Sequence, residues 1–306
     1  MSTIVVTGGS GFIGSHVVDA LIACGTTVVV IDREAPQALR KNSHAIYIQE
    51  DIRSERIHEL FEVHKPTQVI HLAAHVDDRA SIVNPEENAS HNILGTINIL
   101  QAARNAGVSR IVFASTGVIY GNQEHLPIAE DAAPYPLTPY AIGKLTGERY
   151  GKYFSLQGGA SFCALRFANV YGPRQDGSKE CGAVAIFTKN LLGGNDAFLN
   201  GDGTTTRDYV YVHDVVRACR AACESEEEGV INIGTGKETS TQELFSLVAQ
   251  ATDYKARPTH RPEIRDYVAH IALDSAKAKR VLGWEPQMLL QAGIQETVAW
   301  YKQQTL

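Results

Sequence analysis

The chain has 306 residues, 44% of them apolar and 20% charged, with a formal net charge of -6. That length supports one large domain or two unequal ones, and the apolar fraction fills a substantial core without a long disordered region. The acidic balance excludes non-specific nucleic-acid binding, which needs a basic face.

Met1-Ser2-Thr3 runs straight into the apolar stretch Ile4-Val5-Val6, which leaves no room for a signal peptide and predicts a cytoplasmic protein. No apolar run reaches the ~18 residues of a membrane span. The five cysteines, Cys24, Cys163, Cys181, Cys219 and Cys223, are scattered and mostly in apolar settings, as reduced, inert thiols are. No second pair or nearby histidine completes a zinc site with Cys219 and Cys223, so no metal is expected.

Short β-branched runs at Thr3–Thr7, Thr27–Ile31, Ala45–Gln49, Gln68–Leu72, Arg110–Ser115, Ser161–Phe167 and Val230–Ile233 read as strands. Helical patterns lie between them at Ile13–Cys24, Ile57–His64, Asn88–Ala106 and Tyr140–Leu156. This alternation predicts an α/β fold: a doubly wound, Rossmann-like parallel sheet covered on both faces, with ligands at the carboxyl ends of its strands. Gly8, Asp32, Asp51, Ala73, Thr116 and Asn169 all lie just past such ends. After Asn169 the chain turns rich in glycine and proline. Residues 1–169 therefore read as a nucleotide-binding domain and 170–306 as a smaller α/β lobe, with 209–234 returning to the first. The acidic run Glu224–Glu228 reads as a solvated helix end.

Thr7-Gly-Gly-Ser-Gly-Phe-Ile-Gly14 follows the first strand and opens a helix. Gly8, Gly11 and Gly14 permit a tight turn and close approach of a pyrophosphate, with Phe12 and Ile13 beside them, and the helix N-terminus favours its charge. Asp32 closes the second strand, where a carboxylate accepts the adenosine ribose hydroxyls and repels a 2′-phosphate; NAD is thus favoured over NADP. Asp51-Ile52 after the third strand either bonds and packs the adenine or forms a plain turn. Leu72-Ala73-Ala74 gives the small residues that a backbone beside a cofactor requires, while His71 reads as a core histidine. Asn92 reads equally as a helix-borne donor to the active-site backbone or as a surface residue.

Thr116, past the fifth strand, offers a hydroxyl to a reacting oxygen. Thr138-Pro139 matches an N-cap and a first-position proline, so Tyr140 falls in the first helical turn, where the dipole favours an anion. Tyr140 and Lys144 share one helix face, roughly 5–6 Å apart at Cβ. A tyrosine titrates near ~10; a shift of about three units costs roughly 4 kcal/mol, within reach of a lysine ammonium and a nicotinamide cation in a dry site. Proton abstraction from an alcohol, coupled to hydride transfer, is the chemistry this spacing serves.

Together these residues resemble the extended short-chain dehydrogenase/reductase family, in its nucleotide-sugar branch. The motifs are Thr7–Gly14, Asp51-Ile52, His71–Ala74, Ser115–Gly121, Tyr140–Lys144, Leu165–Arg174, Gly201–Asp208 and Leu282–Pro286. The nearest group is that of the UDP-glucose 4-epimerases. The resemblance implies a Thr116–Tyr140–Lys144 catalytic set, bound NAD also touching Phe167, and a UDP-hexose oxidised at C4, turned, and reduced on its other face. It implies substrate contacts at Asn169, Arg207 and Arg261, with Arg265 a competitor for the last; Val184 and Phe187 either line the base pocket or pack the core. Asn200 stands where some relatives place an aromatic. The related dehydratases and decarboxylases carry acids just after the catalytic Thr, where this chain has Gly117 and Val118, which cannot exchange protons. A net reductase and a catalytically silent NAD-binding protein are the remaining readings, the second opposed by the intact Thr116, Tyr140 and Lys144. Relatives pair through helices equivalent to Asn88–Ala106 and Tyr140–Leu156, which implies a homodimer.

Overall fold

A computed structural model describes residues 2–177, 182–262 and 268–305. Cys181 and Arg265 lie outside the described residues. In chain order the first half runs β1 (Thr3–Thr7), α1 (Phe12–Ala23), β2 (Thr27–Asp32), β3 (Ile46–Gln49), α2 (Arg56–His64), β4 (Gln68–His71), α3 (Asp78–Val83), α4 (Pro85–Ala89), a π-helical turn (Ser90–Gly95), α5 (Thr96–Asn105), β5 (Arg110–Thr116), α6 (Pro139–Leu156) and β6 (Ser161–Phe167). There follow β7 (Asn169–Tyr171), α7 (Ala183–Leu192), β8 (Phe198–Asn200), β9 (Thr206–Arg207), β10 (Tyr209–Tyr211), α8 (Val212–Glu224), β11 (Gly229–Ile233), β12 (Thr239–Ser240), α9 (Thr241–Thr252), β13 (Thr259–Arg261), α10 (Ala276–Leu282) and α11 (Leu290–Thr305).

Seven strands form one parallel sheet in the order β11-β6-β5-β4-β1-β2-β3. Its strands are near-continuous apolar runs because helices cover both faces. On one face α1 and α8 bury Val17, Val18, Leu21, Val215 and Cys219 against Val6, Val30 and Leu165. On the other, Phe61, Ile99, Leu100, Phe113 and Phe162 pack together beneath α2, α5 and α6. The sheet order reverses between β1 and β4, so the crevice at their carboxyl ends is where a doubly wound fold takes its ligand.

Three two-stranded sheets, β10-β7, β12-β9 and β13-β8, build the second lobe around Val184, Phe187, Leu199, Tyr209, Leu244, Phe245 and Ile294. α8 and β11 join the large sheet, and so do Ala278 and Trp284, which the composition shift alone leaves with the second lobe. The helix expected over Asn88–Ala106 is interrupted: α4 and α5 are joined by the π turn, an insertion that commonly marks a functional site. Among the described residues no helix is long and apolar enough to cross a membrane. None of their His, Cys, Asp and Glu side chains cluster in threes to hold a metal. Cys163, Cys219 and Cys223 are buried free thiols, and burial pushes Cys163 up to about 11 and Cys223 up to about 12. The run Glu224–Glu228 is more than a solvated end: the Glu227 carbonyl accepts from Arg110, and its carboxylate lies 3.3 Å from Lys277.

Candidate active site

The turn from β1 into α1 is a cradle that tolerates no side chain at Gly8 or Gly14. Gly8 sits at φ +73°, and a Cβ there would lie 2.6 Å from the Ala73 nitrogen; at Gly14 it would lie 2.2 Å from the Gly8 oxygen. Glycine is obligatory at both, because the loop folds onto the segment that follows β4 and the helix begins within the turn. Gly11 donates to the Gly8 carbonyl at 3.1 Å, and Phe12 and Ile13 begin α1, leaving the first helical N–H groups at the sheet edge. Asp32 accepts from the main-chain N–H of Ser10 at 3.0 Å and of Glu34 at 3.1 Å, which ties the end of β2 to the glycine loop. Burial raises its pKa, the two N–H groups opposing the shift.

Asp51 is gripped by Arg53, whose Nη2 stands 2.7 Å away. That hydrogen bond holds its pKa down at about 2. Ile52 is buried beneath Gly95, where any Cβ would strike it. Leu72, Ala73 and Ala74 leave the sheet half-buried past β4. His71 bonds Thr7 Oγ1 at 2.6 Å and Thr96 Oγ1 at 3.1 Å; burial, aided by the Lys144 charge, pushes it down to about 3. It is a satisfied core histidine. Asn92 points inward from the π turn: its Oδ1 accepts from His75 N at 2.8 Å, and its Nδ2 donates to His75 O at 3.0 Å and Asn88 Oδ1 at 3.1 Å. This two-way clamp fixes the backbone that runs from Ala73 toward α3.

α6 begins as its sequence dictates. Thr138 caps it, its hydroxyl accepting from Ala141 N at 3.3 Å, and Pro139 occupies the first turn. Tyr140 follows, half-buried, and its main-chain N–H donates to Ser81 Oγ at 3.2 Å. One turn on, Lys144 is 3% exposed; its Nζ donates to the Ala114 carbonyl at 2.8 Å and lies 4.7 Å from the centre of the Phe113 ring. Desolvation lowers its pKa to about 7, with Glu148 pulling the other way. Thr116 ends β5 half-buried, its Oγ1 accepting from Val118 N at 3.4 Å, so its hydroxyl hydrogen can be directed at a ligand. Phe167 ends the adjacent strand β6, 7% exposed.

Beneath this edge lie residues that the sequence pattern does not single out. Ser115 donates to Glu148 Oε1 at 2.5 Å, and Arg166 forks onto both Glu148 oxygens at 2.9 and 2.7 Å. The available signal was the spacing: Glu148 stands four residues beyond Lys144, as Lys144 does beyond Tyr140.

The second lobe supplies the remaining candidates. Asn169 is exposed at the start of β7, its N–H bonded to the Asp208 carbonyl at 2.8 Å. Arg207 is half-buried on β9, its Nη1 donating to the Thr206 carbonyl at 2.7 Å. The next residue, Asp208, is anchored by Thr235, Gly236 and Leu273 N–H groups. Arg261 is exposed on β13, opposite Asn200 of β8, with its guanidinium 3.4 Å from the centre of the Phe198 ring. Val184 and Phe187 are 1% and 6% exposed in the lobe's core, so their side chains serve packing.

Known proteins are similar to this chain along nearly its whole length. The family model described as NAD dependent epimerase/dehydratase matches residues 4–234. The UDP-glucose 4-epimerase of Mycolicibacterium smegmatis is 38% identical over 306 residues, covering 97% of each chain. The crystal structure of Thermotoga maritima UDP-glucose 4-epimerase with UDP-glucose superimposes with a TM-score of 0.97 at 40% identity, covering 99% of this chain and 100% of that one. The Thermus thermophilus UDP-glucose 4-epimerase complex with NAD gives 0.93 at 37% identity, over 98% and 99%.

Proposed function

The chain belongs to the NAD dependent epimerase/dehydratase family, and from that premise we propose that it inverts C4 of a UDP-hexose through a transient 4-keto sugar. The observation that carries this reading is the row Tyr140–Lys144 at the start of α6, set beside the strand end Thr116 and followed there by Gly117 and Val118. Elimination or decarboxylation needs a further acid or base past Thr116, and these two residues offer none.

The residues present fit NAD. The Gly8–Gly14 cradle and the N-terminus of α1 suit its pyrophosphate, Asp32 the adenosine ribose, Asp51 and Ile52 the adenine, and Leu72, Ala73 and Ala74 with Asn92 and Phe167 its inner half. When bound, NAD supplies a hydride acceptor that returns what it takes, so the sugar leaves with no net oxidation. The protein's own part is the proton. Tyr140 takes it from the sugar 4-hydroxyl and gives it back once the keto sugar has turned. Thr116 orients that oxygen, and Lys144 holds the nicotinamide ribose and lowers the cost of the Tyr140 anion. Asn169 and Arg207 hold the UDP group, Arg207 as a planar fork for the diphosphate, with Arg261 as a further cation.

The same reading covers assembly and place. Leu94, Ile142, Tyr150, Tyr153 and Leu156 are exposed on the π turn and α6, an apolar face consistent with a homodimer built from two helices of each copy. A cytoplasmic location belongs to the same reading; among the described residues no helix is long and apolar enough to cross a membrane. The deciding experiment incubates the purified protein, without added NAD, with UDP-glucose, UDP-galactose, their N-acetyl forms and UDP-glucuronate, and separates the 4-epimers by chromatography. Interconversion of one pair with no net change in NADH absorbance is expected. A dehydrated, decarboxylated or net-reduced product, or none, overturns the proposal.

A further inference from the structure

We infer that Glu148 is a positioning residue for Lys144: its buried carboxylate, held by Arg166 and Ser115, keeps the lysine charged and the end of β5 in register with α6. The inference rests on the reading that Lys144 serves Tyr140 in the epimerase reaction.

Two ladders run down α6. Gly143, Gly147 and Gly151 form one; a Cβ on Gly147 would lie 2.7 Å from the Phe113 ring and one on Gly151 2.1 Å from the Phe162 ring. The helix therefore approaches the sheet to backbone distance. Tyr140, Lys144 and Glu148 form the second ladder, which that close approach sets against the end of β5. Lys144 Nζ is held by the Ala114 carbonyl, and the next residue, Ser115, donates to Glu148. Thr116 follows at once. The carboxylate thus anchors Ser115, which stands between the residue whose carbonyl holds the lysine and the one that carries the substrate-orienting hydroxyl.

The charge balance agrees with this placement. The titratable and charged groups around Lys144 are Tyr140 and Glu148 on its own helix, His71 from β4 and Arg166 from β6. His71 is buried and neutral near pH 7, and Arg166, forked onto Glu148, offsets part of that carboxylate's effect on the lysine. Among the described residues Glu148 is the anion that acts on Lys144, and it opposes the desolvation that drives the lysine toward its neutral form. An anion beside a lysine favours the ammonium, so removing it makes the lysine lose its proton at lower pH.

The test uses the NAD-bound protein with lysine labelled at Cε, the Lys144 resonance being identified by its loss in Lys144→Met. In Glu148→Gln its titration midpoint is expected to fall by roughly one pH unit or more, and the alkaline limb of kcat/KM for the epimerised UDP-sugar to move the same way. Because the neutral amide would leave Arg166 buried without its anion, a second variant, Glu148→Gln with Arg166→Met, removes both charges. A merely structural pair predicts that this double variant recovers Tm and pH profile together. A positioning role for Glu148 predicts that Tm recovers while the Lys144 midpoint stays low. An unmoved midpoint in both variants overturns the inference. A lowered midpoint in a protein that epimerises no UDP-sugar leaves the inference standing and overturns the function proposed above.

Discussion

At the carboxyl edge of the large sheet the candidate residues are fixed from beneath. Lys144 is held by a strand carbonyl, Asn92 clamps the chain after β4, and Glu148 sits on a buried guanidinium. In the second lobe Arg207 and Arg261 stand half-buried and exposed on strands of two and three residues, and Asn169 is exposed at the head of another short strand. On the function proposed above, the difference follows from what each would bind. A proton transfer needs its partners placed within a few tenths of an ångström before the substrate arrives, because a small misplacement costs large factors in rate. Anchoring a flexible diphosphate needs only cations within reach, and exposed side chains adjust to it.

Removing the reacting group should break the first region's chemistry and leave its structure alone. Tyr140→Phe is expected to lower turnover of the epimerised UDP-sugar by about 10²–10⁴-fold, the usual worth of a placed acid–base group. Stability should fall by no more than about 1.5 kcal/mol, the usual worth of one side-chain hydrogen bond, since the ring is half-buried and its main-chain bond to Ser81 survives. Steady-state rates and a thermal melt on the same preparation check both. Equal turnover in the variant would detach Tyr140 from the reaction.

The same contrast explains what could be read from residues in order. Where backbone meets backbone, only one residue type fits, so Gly8 and Gly14 announce the cradle. The β-branched runs likewise match β1 and β6 to the residue, because a strand buried on both faces has little choice. Partnerships across the chain leave no such trace. Arg166 reads as one cation in an apolar strand, and nothing local joins it to Glu148. The π turn is equally silent: nothing in Ser90–Gly95 announces an extra residue per turn, and the bond from Asn92 back to His75 that accompanies it is a partnership across the chain. In the second lobe Val184 and Phe187 could line a pocket or a core on pattern alone, and only the folded chain shows both side chains packed in the core.

A smaller effect should reveal how closely the first region is built. Gly151→Ala adds a methyl group 2.1 Å from the Phe162 ring, which is itself 4% exposed and has no room to turn away. Alanine favours a helix over glycine by up to about 1 kcal/mol, whereas overpacking a core costs about 1–3 kcal/mol. The clash should win. A net loss of about 1–2 kcal/mol is expected by denaturant unfolding, with kcat reduced as well, because α6 carries Tyr140. A stabilised protein would show that the helix does not press on the sheet as tightly as the contacts require.

In the second lobe the corresponding losses should fall on binding. Arg207→Ala removes a half-buried fork, and a hydrogen bond to a charged partner is worth about 1.5–3 kcal/mol; KM for the UDP-sugar should rise roughly ten- to hundredfold while kcat changes much less. Arg261 is the gentler case. It is exposed, and its guanidinium is already occupied with the Phe198 ring, a contact worth about 0.5–1 kcal/mol. To reach a diphosphate it would give up part of that stacking, so only the surplus would register in affinity. Arg261→Ala should therefore raise KM about two- to fivefold. Arg261→Lys, which keeps the charge but lacks the planar fork, should fall between the variant and the parent. If Arg265 is the phosphate ligand instead, both Arg261 variants should bind substrate as the parent does, and Arg265→Ala alone should carry the loss.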